Sequence, residues 1–122
     1  MKKLWSGVVL FSVLFLYAAP NISYGHAFPD HADPKVGSTV TAPPVSVRIW
    51  FSGALETAFC TIAVLDANGM KVDKGDGRVN PSDATLLETS VPPLATGTYR
   101  VVWNVVARDG HRTNGDHTFV IK

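Results

Sequence analysis

The sequence predicts an all-β domain, a single seven-stranded antiparallel Greek-key β-sandwich or barrel. Three observations predict it. Apolar residues recur with a period of two, no stretch after residue 25 has helical spacing, and turn signals return roughly every 8–15 residues.

The opening strand is expected at Phe28–Ala32. The second, Val45–Phe51, alternates clearly, with Val45, Val47, Ile49 and Phe51 on one face and Ser46, Arg48 and Trp50 on the other. Cys60–Leu65 is the third, and the following Asp66-Ala67-Asn68-Gly69 ends in Asn-Gly, a strong hairpin signal. Met70–Val72 starts the return strand, and the polar Asp73–Asp83 reads as a loop. Thr85–Val91 is the fifth strand; Pro92-Pro93 then interrupts, because proline lacks the ladder donor. Thr98–Val106 is the clearest strand, with Tyr99, Val101, Trp103 and Val105 facing inward. Arg108–Asn114 is a polar loop, and Gly115–Lys122 closes the sheet with His117, Phe119 and Ile121 on one face.

The first residues stand apart from this pattern. Met1-Lys2-Lys3 is basic, Leu4–Ala19 is nearly all apolar, and Ser23 and Gly25 are small residues two apart. This is the pattern of a secretory signal peptide over residues 1–25, with the cut between Gly25 and His26. The apolar stretch is shorter than the ~20 residues that a membrane anchor needs. Residues 26–122 are then the mature domain, large enough to bury a core without staples. Losing Lys2 and Lys3 from the eleven basic residues leaves a slight acidic excess, since ten are acidic. That balance argues against a nucleic-acid partner, which selects a basic patch. The one cysteine, Cys60, excludes an internal disulfide. Its apolar setting suits a small buried side chain, with a soft metal ligand or reactive thiol as the alternative.

Of the four histidines, His26 is the informative one, because export makes it residue one. Its free α-amine and ring Nδ1 close a six-membered chelate on a single metal. The amine's pKa, about 7.7–8.0, lets a metal displace its proton near neutrality. Asp109-Gly110-His111 is the second feature. Residues i and i+2 of an extended loop project to the same side, so Asp109 and His111 can face one ion. Alone, Asp-Gly also marks a turn. Topology joins the two features: with an odd number of alternating strands, the last connection returns to the end where the first strand begins. Three nitrogens and a carboxylate oxygen suit one Cu(II) ion, and Zn(II) is the competitor. Thioether donors are scarce, since Met70 is the sole methionine after the leader.

The mature chain resembles the CopC family of periplasmic copper-resistance proteins. The resemblance rests on His26, Asp33-Pro34-Lys35-Val36-Gly37-Ser38, Ala42-Pro43-Pro44, Leu94 to Trp103, Asp109-Gly110-His111 and Gly115-Asp116-His117-Thr118-Phe119. It implies a cupredoxin-like or immunoglobulin-like β-barrel in the periplasm, with Cu(II) held by the amine and ring of His26, by His111 and by Asp109. It also implies a non-enzymatic, monomeric role in copper homeostasis or resistance, as a carrier or sequestering protein that serves a membrane copper transporter. Two departures stand out: the methionine-rich Cu(I) segment of some members is missing, and Gly53 follows Phe51-Ser52 where an acidic residue is common. Two other functions stay open, a histidine-brace copper oxidase resembling lytic monooxygenases and a metal-free immunoglobulin-like interaction module.

His31 lies an odd number of residues from His26, so it is expected on the opposite face and in solvent. His117 is a candidate supporting or alternate ligand, or a hydrogen-bonded histidine at the barrel end. Trp103 is expected in the core, whereas Trp50 either covers a sheet edge or faces a partner.

Overall fold

The computed structural model describes residues 26–122, and the expected leader, residues 1–25, lies outside them. Eight strands occur among the described residues: β1 (Pro29–Asp33), β2 (Thr39–Val40), β3 (Ser46–Phe51), β4 (Thr61–Leu65), β5 (Arg78–Val79), β6 (Leu86–Ser90), β7 (Gly97–Val106) and β8 (Arg112–Ile121). They form two four-stranded sheets, ordered β1-β3-β6-β5 and β2-β8-β7-β4. The two-layer all-β architecture is the one that the alternation predicts.

The strand bookkeeping differs from the expected seven. Thr39–Val40 pairs with Val120 and Ile121 in parallel, the exception in an otherwise antiparallel fold. Met70–Val72 contributes no strand, only a bridge from Lys71 to Leu65. The hairpin nonetheless returns along β4 there, with the Val72 amide donating to the Val64 carbonyl at 2.8 Å. A further short strand, Arg78–Val79, falls inside the segment read as a loop and pairs with Leu87 and Glu88 in the other sheet. Asp73 explains why the hairpin stops at Val72. Its carboxylate accepts the amide of Val64 at 2.8 Å, so a side chain occupies a ladder position that a strand backbone would fill.

The direction of the strands still works out as the odd count requires. The Thr113 hydroxyl donates to the Ala27 carbonyl at 2.9 Å, so β1 and β8 begin at the same end of the sandwich. Because β2 is parallel to β8, it also runs in the sense of β1. β1 and β2 are therefore one run that crosses from one sheet to the other, and seven runs alternate in direction.

The core is the slab between the sheets. Val47, Ile49 and Phe51 of β3 face Val101, Trp103 and Val105 of β7, all buried. Phe51 and Trp103 meet edge to face across the sheets at 5.2 Å between centroids, a favoured aromatic geometry. Val45, expected inward with them, is 80% exposed; it precedes the first residue of β3 and projects beyond the end of the sheet. Trp50 lies on the outer face, where the His31 ring stacks on it at 4.6 Å with 9° between planes. Cys60 is half-buried, as its apolar setting suggested. Its thiol donates to the Glu56 carbonyl at 3.1 Å, and burial raises its pKa, which disfavours the thiolate that a metal or electrophile needs.

Gly115 stands opposite Trp103 in the β7–β8 ladder. A Cβ there would lie 2.6 Å from Trp103 Cζ2, so the indole occupies space that only glycine leaves. Gly115→Ala is expected to destabilise the fold by about 1–3 kcal/mol through overpacking, measured as a lower urea midpoint at unchanged slope.

His117 follows the inward face of Phe119 and Ile121, and its Nε2 is buried without a hydrogen-bond partner. Burial lowers its pKa from 6.5, against the opposing charge of Asp116. The unfolded chain thus takes up the proton more readily than the folded one. The stability linked to His117 is complete above pH 6.5 and is lost as the pH falls through the window beneath that value. His117→Leu is expected to shrink the drop in urea midpoint between pH 7.5 and pH 5, roughly the range over which a histidine titrates.

Candidate metal centre

The β7–β8 connection is a tight turn built by one carboxylate. Asp109 Oδ1 accepts the His111 amide at 3.0 Å, and Oδ2 lies 2.8 Å from His111 Nδ1. The Gly110 amide donates to the Ala107 carbonyl at 2.8 Å, and the Ala107 amide to the His111 carbonyl at 2.9 Å. Gly110 has φ of 91°, left-handed backbone that costs glycine little. The Arg108 amide donates to the Ala54 carbonyl at 3.1 Å, fixing the turn to the β3–β4 connection.

The contact with Asp109 also sets the chemistry of His111. An ionised carboxylate only accepts, so Nδ1 donates to Asp109 here, and a turn of the ring is what lets His111 and Asp109 share one ion. In return, the His111 amide and then its ring hold the Asp109 carboxyl below its usual range against an opposing effect of burial, and the charges of His111 and His26 add to the lowering. Asp109 is therefore ionised throughout the neutral range.

His26 arrives from the other sheet. Its ring lies 4.3 Å from that of His111, centroid to centroid, at 73°, and 6.1 Å from that of Phe28. One ligand atom each from His26, Asp109 and His111 lies within 4.8 Å of the others. Donors around one ion at bond lengths of ~2.0–2.2 Å lie at most ~4 Å apart, so small side-chain rotations close the gap. Two imidazoles and one carboxylate suit a borderline transition-metal ion. The site is at the rim: the His111 and Asp109 side chains are 62% and 30% exposed.

The three residues singled out as ligands are thus brought together across 85 residues of sequence. The other candidates are not. His31 is held by Trp50 and by Asp30, whose Oδ2 lies 2.9 Å from His31 Nδ1. His117 and Cys60 do not belong to the cluster. Sequence reasoning overlooked two residues that hold the cluster's N-terminal arm. Thr113 binds the Ala27 carbonyl, and Ser52 Oγ accepts the Phe28 amide at 3.1 Å while the Ser52 amide donates to the Phe28 carbonyl at 2.8 Å. For Thr113 the available signal was its offset of two from His111, which puts both on one side of an extended segment. Ser52 carried none.

Known proteins share this architecture. YobA of Escherichia coli (strain K12) is 32% identical over 100 residues, which cover 81% of this chain and 81% of YobA. The crystal structure of CopC from Methylosinus trichosporium OB3b superposes with a TM-score of 0.71 at 32% identity, covering 80% of this chain and 94% of that one. That of PcoC, a methionine-rich copper resistance protein from Escherichia coli, superposes with a TM-score of 0.69 at 29% identity, covering 80% of this chain and 99% of that one. Residues 30–122 match the CopC domain. The chain therefore belongs to the CopC family, and its function is copper-related.

Proposed function

We propose that this protein is exported to the periplasm, is cut between Gly25 and His26, and there binds one Cu(II) ion as a monomeric, non-enzymatic carrier or sequestering protein. The α-amine and ring of His26, the ring of His111 and the carboxylate of Asp109 are the ligands. The observation that carries this reading is the convergence of those side chains, with ligand atoms within 4.8 Å of one another at one end of the sandwich. The donor count favours Cu(II) within the divalent series. An ionised Asp109 offsets one unit of the ion's charge. A site at the rim of a rigid sandwich lets a membrane copper transporter approach the bound ion.

The chelate needs a free amine on His26. Mass spectrometry of the exported protein with and without Cu(II) is expected to show a chain beginning at His26 and a gain of one copper. Adding one residue ahead of His26 is expected to weaken Cu(II) binding by more than ~100-fold, beyond the 10–100-fold that loss of a supporting hydrogen bond costs. Competition titration against a chelator of known affinity measures this, and an unchanged affinity rejects the amine as a ligand.

His111→Ala removes a ligand, whereas His31→Ala removes a ring stacked on Trp50. The first is expected to lower affinity by at least ~10-fold and the second by less than ~2-fold, since surface changes away from a site are near neutral. The reverse order in the same titration identifies His31 as the true ligand.

A further inference from the structure

Residues 26–28 lie beyond the sheet. The β1 ladder begins at Pro29, which pairs with Phe51 and, as a proline, has no amide to donate. A three-residue terminus with no ladder is expected to fray. Here it does not run free, because both sheets hold it. From the β1-β3-β6-β5 sheet, Ser52, the residue after β3, binds Phe28 twice: its Oγ accepts the Phe28 amide at 3.1 Å, and its amide donates to the Phe28 carbonyl at 2.8 Å. From the other sheet, the Thr113 hydroxyl donates to the Ala27 carbonyl at 2.9 Å. The Ala27 methyl is packed between them, leaving the residue 1% exposed.

We infer that Ser52 and Thr113 are positioning residues of the metal centre, a two-sided clamp that holds His26 over the Asp109–His111 turn before the ion arrives. The inference rests on the proposed Cu(II) site at His26. The bonds fall on the last main-chain groups before His26, one and two residues from the chelate. Thr113 also sits on β8 two residues beyond His111, which directly precedes that strand, so a ligand and the anchor of the opposing ligand are close neighbours in the chain. Freezing the terminus in the folded protein removes an ordering cost that binding would otherwise meet, which is preorganisation. Neither hydroxyl belongs to the ligand cluster, so their effect on the metal passes through the position of His26.

The test is a double-mutant cycle on the exported protein, with Cu(II) affinity read by chelator competition and the stability of the copper-free protein read by urea unfolding. Thr113→Val keeps the shape and deletes the donor. It is expected to lower affinity roughly five- to tenfold, the size of one hydrogen bond, in the protein that begins at His26. Thr113→Ser is expected to restore it. In the protein carrying an extra residue before His26, Thr113→Val is expected to cost less, because only the ring of His26 is left for the clamp to position. Ser52→Ala supplies the same comparison if Thr113→Val does not fold. A Thr113→Val or Ser52→Ala protein with unchanged affinity, or with an equal loss in both backgrounds, overturns the clamp while leaving the site intact. An extra residue that leaves affinity unaltered overturns the His26 chelate itself.

Discussion

Phe51 and Trp103 pack edge to face across the sandwich at 5.2 Å, in a layer where β3 and β7 press their apolar faces together. Burial of such side chains contributes about 1.5–3 kcal/mol each, and nothing at the ends of the sandwich is held in place without it. Close packing lets the two sheets meet in one arrangement, since interdigitated side chains resist sliding. The end of β3, with Ser52, is thereby set against the start of β8, with Thr113. His26 and His111 come within reach of one another as a consequence of how the sheets pack, rather than through any local preference.

The outer face of the first sheet shows a different balance. Register places Asp33 beside Arg48, Arg48 beside Glu88, and Glu88 beside Arg78, an alternation of charge across four strands. The Arg48–Glu88 and Arg78–Glu88 separations are 3.9 and 3.7 Å. With their arginines largely in solvent and separations this long, such pairs contribute little to stability individually. Their value is to pin the register on a face that no core selects, since opposite charges side by side favour this pairing over a slipped one.

The candidate metal centre lies at an end rather than in the slab, and the proposed chemistry depends on that. A charged cluster buried between the sheets would face a large desolvation cost. At the rim, Asp109 stays ionised and hydrogen-bonded by its own turn, within reach of the His111 ring. The rigidity comes from main-chain hydrogen bonds at Ala107, Gly110 and Ala54, so the site is exposed without being loose. In the proposed carrier role, that combination suits an ion that must be held and then handed on.

By itself the sequence determined the all-β class, the inward faces of β3 and β7, and the three candidate ligands. These follow from local properties: the two-residue period of a strand, the chelating power that the proposed leader cut would give His26, and the i, i+2 spacing of Asp109 and His111. It overextended the return along β4, because Asp73 fills a ladder position with its side chain, which no periodicity records. It left Trp50 undecided, because the stacking partner, His31, lies on another strand. Only the tertiary structure decided that β1 and β2 are a single run crossing between sheets, and that Ser52 and Thr113 hold the N-terminal arm. These are contacts between residues far apart in the chain. Their energies depend on how two sheets pack, and a linear pattern carries no trace of that until the layers meet.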